Sequence, residues 1–352
     1  RSSENGVNRE YFTSWNDGPG RRNLLPHEII HSWNGKYRRP QAMWTPDFKT
    51  PTRDNLLWVY EGQTQFWGYV LGARSRLYSK QDTLDAYAAI AAGMDQRVGR
   101  QWRPLIDTTH DPIIAARRPK PWSSWQRSED YYNEGLLIWL EVDQIIRRES
   151  GGKKSLDNFA KYFFGGKNGD WGVATYGKQD VIDALNKVQP YDWVSLIQTR
   201  VYETSEVAPK DGLTLGGYRL IYTERQSPFI RANDKRRKQI NLSHSVGLIM
   251  SNKGIIQSVI WDSPAFKAGL KSGLTVSAVN GKAYSAEIFK QAIADNKGGN
   301  GRIDIFAKNG DQYKNFLVDY SGGLVYPNLE KITGEGVAAE GGIDRLLRPR
   351  TK

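Results

Sequence analysis

The sequence predicts a multidomain α+β protein, mainly α-helical at first and followed by a small β-rich domain. Three observations carry that expectation. At 352 residues the chain is long enough for more than one core. Up to about Val207 its apolar residues recur at helical spacing in long segments. Beyond that point the runs shorten to β-like stretches separated by Gly and Asn. The expected division is 1–207, 208–322 (the small domain with its leading linker) and a Gly-rich, weakly patterned tail over 323–352.

The first helix is expected from near Asn23 to Gly35 and carries HEIIH. A second follows Asp54, a plausible N-cap, through LLWVYEGQTQFWGYVLGARSRL. A third is expected to start at Ser128, with Glu129 and Asp130 in its first turn where carboxylates suit the helix dipole, and to stop at Gly151-Gly152. Shorter helices fit SLDNFAKYFFG, QDVIDALNKV and DWVSLIQTRVY. Between the second and third lies a Pro- and Trp-bearing stretch, Arg103 to Trp125, which reads as an irregular loop packed by its own aromatics. The β-like runs are LTLGGYRLIYT, VGLIM, GIIQSVI, LTVSAVNG and GRIDIFAKNG, with one helix, SAEIFKQAIADN, among them.

Composition narrows the function. A hydrophobic fraction of 39% and aromatic fraction of 12% indicate a globular chain. No stretch approaches the ~20 apolar residues of a membrane-spanning helix. With no cysteine, disulfides and thiolate metal sites are excluded. The net charge is +12. Its clusters, RANDKRRK over Arg231 to Lys238 and RLLRPRTK at the end, read as linker and terminus. No nucleic-acid motif accompanies them, so nucleic acid is not the expected partner.

HEIIH places His27 and His31 four residues apart. On a helix both imidazoles share one face, within reach of one ion. Zinc takes such nitrogen ligands at ~2.0–2.1 Å and, in catalytic sites, usually has three protein ligands plus water. Glu28 projects beside that water as a candidate general base. The third ligand must come from elsewhere, and Glu61, in WVYEGQTQFWG on the next strong helix, is the candidate. The alternative is a merely structural histidine pair.

HEIIHSWNGKYRRP followed by LLWVYEGQTQFWG resembles the glycyl aminopeptidase family, gluzincin relatives of aminopeptidase N that join a thermolysin-like catalytic domain to a PDZ domain. The resemblance covers most of residues 21 to 320. It implies zinc held by His27, His31 and Glu61, Glu28 as general base, and removal of small N-terminal residues such as Gly or Ala from peptides with a free N-terminus. It also implies that Tyr132, in Tyr131-Tyr132-Asn133-Glu134-Gly135, donates to the oxyanion of the transition state. Glu134 stands where relatives often have Lys, and Tyr131 is the alternative.

The same family carries a glutamate-bearing Gly-rich segment just upstream of a Ser-rich stretch, and an N-terminal β domain before it. This chain opens at RSSENGVN, so the resemblance implies an N-terminally incomplete catalytic domain whose missing β domain or segment would supply the carboxylate for the amino group. Glu4 does not match that glutamate and reads as a solvated residue. His110 reads as a turn residue, Arg38 and Arg39 as carboxylate binders or loop-shaping ion pairs, and Thr64 as support for the metal site or as core.

Ser263-Pro264-Ala265, Ala268-Gly269-Leu270 and Val279-Asn280-Gly281 resemble landmarks of a PDZ domain of the bacterial protease-associated type. The resemblance implies a peptide C-terminus bound at Val246, Gly247 and Leu248 and added as a strand. Leu274 stands where relatives usually have Asp. The competing functional expectations are a PDZ-bearing peptide-binding protein with an idle or structural zinc site, and a thermolysin-like endopeptidase. A bacterial periplasmic or secreted setting is expected from the resemblance and the lack of cysteine.

Overall fold

The structure is a computed structural model that describes residues 2–114, 122–166, 169–334 and 340–350. The α+β expectation holds, with two separate hydrophobic cores. The larger is helical. Its spine is the helix Asn133–Glu149, buried from Glu134 through Arg147. The spine packs against the helices Gly62–Arg74, Lys80–Asp95 and Asp211–Leu215. Trp139 stacks on Trp58 and donates its indole N–H to the Trp58 carbonyl at 2.9 Å. Lys80–Asp95 begins at a capping box, in which Ser79 accepts from the Asp82 N–H and Asp82 reaches back to the Ser79 N–H. Leu156–Phe163 begins the same way at Ser155 and Asn158.

Helix limits differ from the expected ones in ways that shape the site. The HEIIH helix spans only Leu24–Ile30, with His31 as its C-cap. The chain then turns through Gly35, at φ +124°, into β1, Arg38–Pro40. β1 pairs in parallel with β2, Ala174–Tyr176. The second expected helix is two, Leu57–Tyr60 and Gly62–Arg74, with Glu61 at the junction. The third starts at Asn133, not Ser128. Asp130 therefore lies before the helix, where it pairs with Arg127.

The first β-like run gives the short helix Asp211–Leu215 and β3, Tyr218–Thr223. The basic stretch read as linker is the helix Pro228–Arg237, capped by Ser227. The smaller unit follows. β4 (Gln239–Leu242), β5 (Leu248–Ser251) and β6 (Ile256–Val259) form one antiparallel sheet with β5 in the middle. β7 (Thr275–Val279), β8 (Lys282–Ala283), β9 (Arg302–Asn309) and β10 (Gln312–Asp319) form another, in the order β10-β9-β7-β8. Asn280 and Gly281, both at positive φ, make the two-residue turn between β7 and β8. Phe289 and Ile293 of the helix Ala286–Asp295 enter this second core, as does Leu274.

The stretch read as a tail contains two ordered elements. β11, Tyr326–Lys331, pairs with β3 rather than with the smaller unit's sheets. The helix Gly342–Leu347 buries Ile343, Leu346 and Leu347 in the helical core. A one-face apolar triplet in six residues carries too little pattern to stand out from a Gly-rich background. Of the Pro- and Trp-bearing loop, 115–121 lie outside the described residues. Leu105–Thr108 and Asp111–Ile114 are short helices, and the end of the loop joins the two units: Trp125 stacks on Trp261 at 4.7 Å between centroids, Trp122 meets Phe266 at 5.5 Å, and Ser124 Oγ accepts the Trp261 N–H at 3.0 Å. No described helix is long and apolar enough to cross a membrane.

Candidate metal centre

Three donor atoms from two segments meet in a nearly closed space. His27 Nε2 and His31 Nε2 are 3.1 Å apart. Glu61 Oε2 lies 3.3 Å from each of them. Donors at three corners of a tetrahedron with ~2.0–2.1 Å bonds stand about 3.3–3.4 Å apart, so this triangle has the size a zinc ion needs. All three residues are buried, and Glu61 Oε2 has no hydrogen-bond donor among the described residues, because the imidazole contacts are too poorly directed. An acceptor so placed is costly unless a cation satisfies it. The donor set of two imidazoles and one carboxylate suits zinc. Glu28 stands at the mouth, with His27, Glu28 and His31 offering ligand atoms within 4.8 Å of one another.

The electrostatics agree. Burial pushes the Glu61 carboxyl up, but the two imidazoles outweigh it and hold it at about 2. For His31 burial pulls the imidazolium down, and Glu61 more than offsets this, raising it above the ordinary value. A proton therefore competes for this site more strongly than for a free imidazole.

His31 is oriented from behind. Its Nδ1 meets the Asn34 carbonyl at 2.9 Å, and donating there leaves Nε2 as the lone pair facing Glu61. Asn34 is itself fully buried. Its amide donates to the Val59 and Tyr60 carbonyls at 2.9 and 3.1 Å and to Thr64 Oγ1 at 3.2 Å, and its Oδ1 accepts from Tyr176 at 3.2 Å. Asn34 thus ties the HEIIH turn to the segment that ends in Glu61. Thr64, fully buried, belongs to this support. Tyr60 stacks on His31 at 4.8 Å between centroids.

Glu61 and Tyr132 are set beside each other by two glycines. Gly62 and Gly135 pack backbone to backbone: a Cβ on Gly62 would stand 2.7 Å from the Tyr131 carbonyl oxygen and 2.8 Å from Gly135 Cα. The glycines of WVYEG and YYNEG are two sides of one helix crossing. Tyr131 and Tyr132 then separate. Tyr131 is fully buried in the core. Tyr132 is half-buried, its ring 6.1 Å from that of His27, and it lines the same cleft as His27 and Glu28. Across the cleft floor Asn23 donates to Gln65 at 2.8 Å and Gln65 to Asn133 at 3.3 Å.

Glu134 has a structural partner set. It accepts from Arg100 at 3.0 and 2.9 Å and from Arg127 at 2.5 Å, all buried. The other candidates lie elsewhere. Arg38 sits over the Phe163 ring at 3.8 Å and donates to its carbonyl at 2.7 Å. Arg39 donates to the Gly35 carbonyl at 2.8 Å. Both shape the loop. His110 and Glu4 are exposed and do not line the cleft. In the smaller unit, Val246 and Leu248 point into the core, and the Gly247 N–H donates to the Leu242 carbonyl at 3.0 Å. β5 is paired on both edges, so a peptide would join there only by displacing β4 or β6.

Residues 20–138 match the M61 glycyl aminopeptidase family. The matched segment contains His27, Glu28, His31, Glu61 and Tyr132, and the family is one of peptidases. The crystal structure of an aminopeptidase N family protein from Idiomarina loihiensis has the same fold, at a TM-score of 0.74 and 18% identity. The likeness covers 99% of this chain and 57% of that one. The chain thus spans little more than half the length of that relative. No curated protein matches. Asn34, Gln65 and Gly135, none given a role from the sequence, complete the candidate site. Asn34 carried one usable signal, its position three residues after the second histidine.

Proposed function

We propose that the chain is the zinc-binding catalytic part of a peptidase, with a thermolysin-like domain followed by a PDZ-like one. His27, His31 and Glu61 would hold the ion, Glu28 would act as general base and Tyr132 as oxyanion donor. One observation carries the reading: the buried triangle of two imidazoles and an unsatisfied carboxylate oxygen, sized for one tetrahedral ion. The family match adds the reaction class.

Zinc, when bound, supplies a Lewis acid and brings the pKa of water down toward neutrality. The rest falls to the chain's own groups. Glu28, at the cleft mouth, accepts the proton of the attacking water and delivers it to the departing amine. Tyr132 offers its phenolic O–H to the carbonyl oxygen as charge gathers there. Asn34 keeps His31 in one tautomer throughout. For the whole protein the proposed activity is removal of small N-terminal residues, Gly or Ala.

Metal analysis tests the centre. The purified chain should bind one zinc, and His31→Ala should lose it. Equal zinc in both would sink the assignment.

A further inference from the structure

The cleft that holds His27, Glu28 and Tyr132 has a volume of about 370 Å³, enough for a short peptide. Its charged lining is unbalanced. Glu28 is the one carboxylate among the described lining residues, and it stands beside the proposed water. The same cleft is lined by two arginines, Arg21 and Arg236. They come from segments far apart in sequence that the fold packs together, the turn Pro19–Arg21 and the helix Pro228–Arg237.

Neither arginine forms an ion pair among the described residues, although most buried arginines of this chain do. Arg21 lies against the Tyr11 ring, 5.5 Å from its centroid, and its Nε is buried without a hydrogen-bond acceptor. Partial burial first, and after it the neighbouring charges of Arg237 and Arg21, push the Arg236 pKa down. The nearby acid Asp17 pairs with Lys235 instead. Two unpaired guanidiniums in one cleft repel each other, and an anion between them relieves the repulsion through charge-assisted, bidentate hydrogen bonds.

We propose that Arg21 and Arg236 form a subsite for a substrate carboxylate, so that the preferred substrates are short peptides bearing a C-terminal carboxylate or an acidic side chain close to the scissile bond. This deepens the peptidase reading and rests on it. The subsite anchors the end of the peptide while the scissile carbonyl lies toward Tyr132. The same charge pattern disfavours a substrate ammonium on the arginine side of the cleft.

The test uses the zinc-loaded chain and two peptide pairs: trialanine against its C-terminal amide, and Ala-Glu-amide against Ala-Gln-amide. The acid of at least one pair should show a KM roughly 10-fold or more below its neutral partner, and the gap should shrink with added salt. Which pair responds identifies the carboxylate that is bound. Arg21→Gln and Arg236→Gln should raise the KM of the acid to that of its neutral partner and so close the gap between the two. Arg236 is exposed and its replacement leaves the core intact. Calorimetric binding of the same peptides gives a readout independent of turnover. No hydrolysis of any peptide, with the acid still bound more tightly in an arginine-dependent way, would sink the peptidase reading and keep the subsite. Equal KM and binding for acid and neutral peptides, or a preference that survives both substitutions, would overturn the subsite.

Discussion

Gly135→Ala puts one methyl group into the helix crossing on which the site depends. The new Cβ would stand 2.7 Å from Gly62 Cα and 3.3 Å from the Trp58 carbonyl oxygen. Both neighbours are backbone, so no side chain can swing away. The carbon–carbon contact is about 0.7 Å short of ordinary van der Waals distance, and the two helices must separate by that order. Alanine gains ~0.8–1 kcal/mol of helix propensity, while overpacking costs ~1–3 kcal/mol. A net loss of up to about 2 kcal/mol is expected in urea unfolding. Activity should suffer more. Glu61 and Tyr132 flank the two glycines, and displacement approaching ~1 Å costs ~10²-fold in rate. Gly93→Ala is the control: it lies within the helix Lys80–Asp95, and nothing stands within 4 Å of the position its new methyl would take. It should stabilise by ~0.5–1 kcal/mol and leave turnover alone. If Gly135→Ala unfolds at the wild-type midpoint and keeps its kcat/KM, the crossing does not set the site.

Glu28→Gln should retain zinc, since Glu28 is outside the proposed ligand triangle, yet lose ~10²–10⁴-fold in kcat; near-normal turnover would assign the base elsewhere. Asn34→Ala removes the ties to Val59, Tyr60, Thr64 and Tyr176, and zinc affinity should fall ~10–100-fold by competitive chelation, with unchanged affinity refuting its supporting role. Asp344 is buried, yet Lys331, Lys80, Tyr218 and the Gly341 N–H hold its carboxyl well below the ordinary range. A depressed folded-state pKa gives stability that is present above the unfolded value of about 4 and is lost as pH falls through the folded one. Asp344→Asn should therefore lower Tm most at neutral pH, and its difference from wild type should close under acid; a constant difference would show that charge is not the cause.

The triangle of His27, His31 and Glu61 was legible because its signal is local. HExxH needs only one helical turn, and the second carboxylate follows on the next apolar helix. The helical class of the first half was legible from long apolar segments. What escaped depends on contacts between segments far apart in sequence. Lys80–Asp95 carries little signal because four of its ten buried residues are alanine and two more, Thr83 and Asp85, are polar, which gives little amphipathic contrast. RANDKRRK reads as linker because its apolar anchors, Phe229 and Ile230, lie at the helix start and the charges dominate the rest. β3 and β11 pair across a sequence separation of at least 103 residues, a contact that no local pattern encodes. The same holds for Glu134, whose departure from the expected Lys was visible, while its partners Arg100 and Arg127 were not.

That buried network explains why Tyr132 stands where it does. Helix starts fray unless something holds them, and this one has no side-chain cap. It is held from two sides instead. Gly135 is pressed against Gly62 in front, and behind it Glu134 is anchored by the guanidiniums of Arg100 and Arg127, while Arg127 also bonds Asp130 at 2.8 Å. Arg127 adopts a backbone at φ +59°, a conformation costly for a side chain of its size. Its guanidinium, fully buried, offsets that strain through Asp130, Glu134 and the Arg103 carbonyl. Two residues earlier stands Trp125, stacked on Trp261 of the smaller unit. The short turn Ser123–Gln126 is therefore tied at one end to the second core and at the other to the ion pairs that fix the Tyr132 helix start. The Trp- and Arg-bearing loop that reads in sequence as irregular is, by these contacts, the strut between the smaller unit and the proposed oxyanion donor.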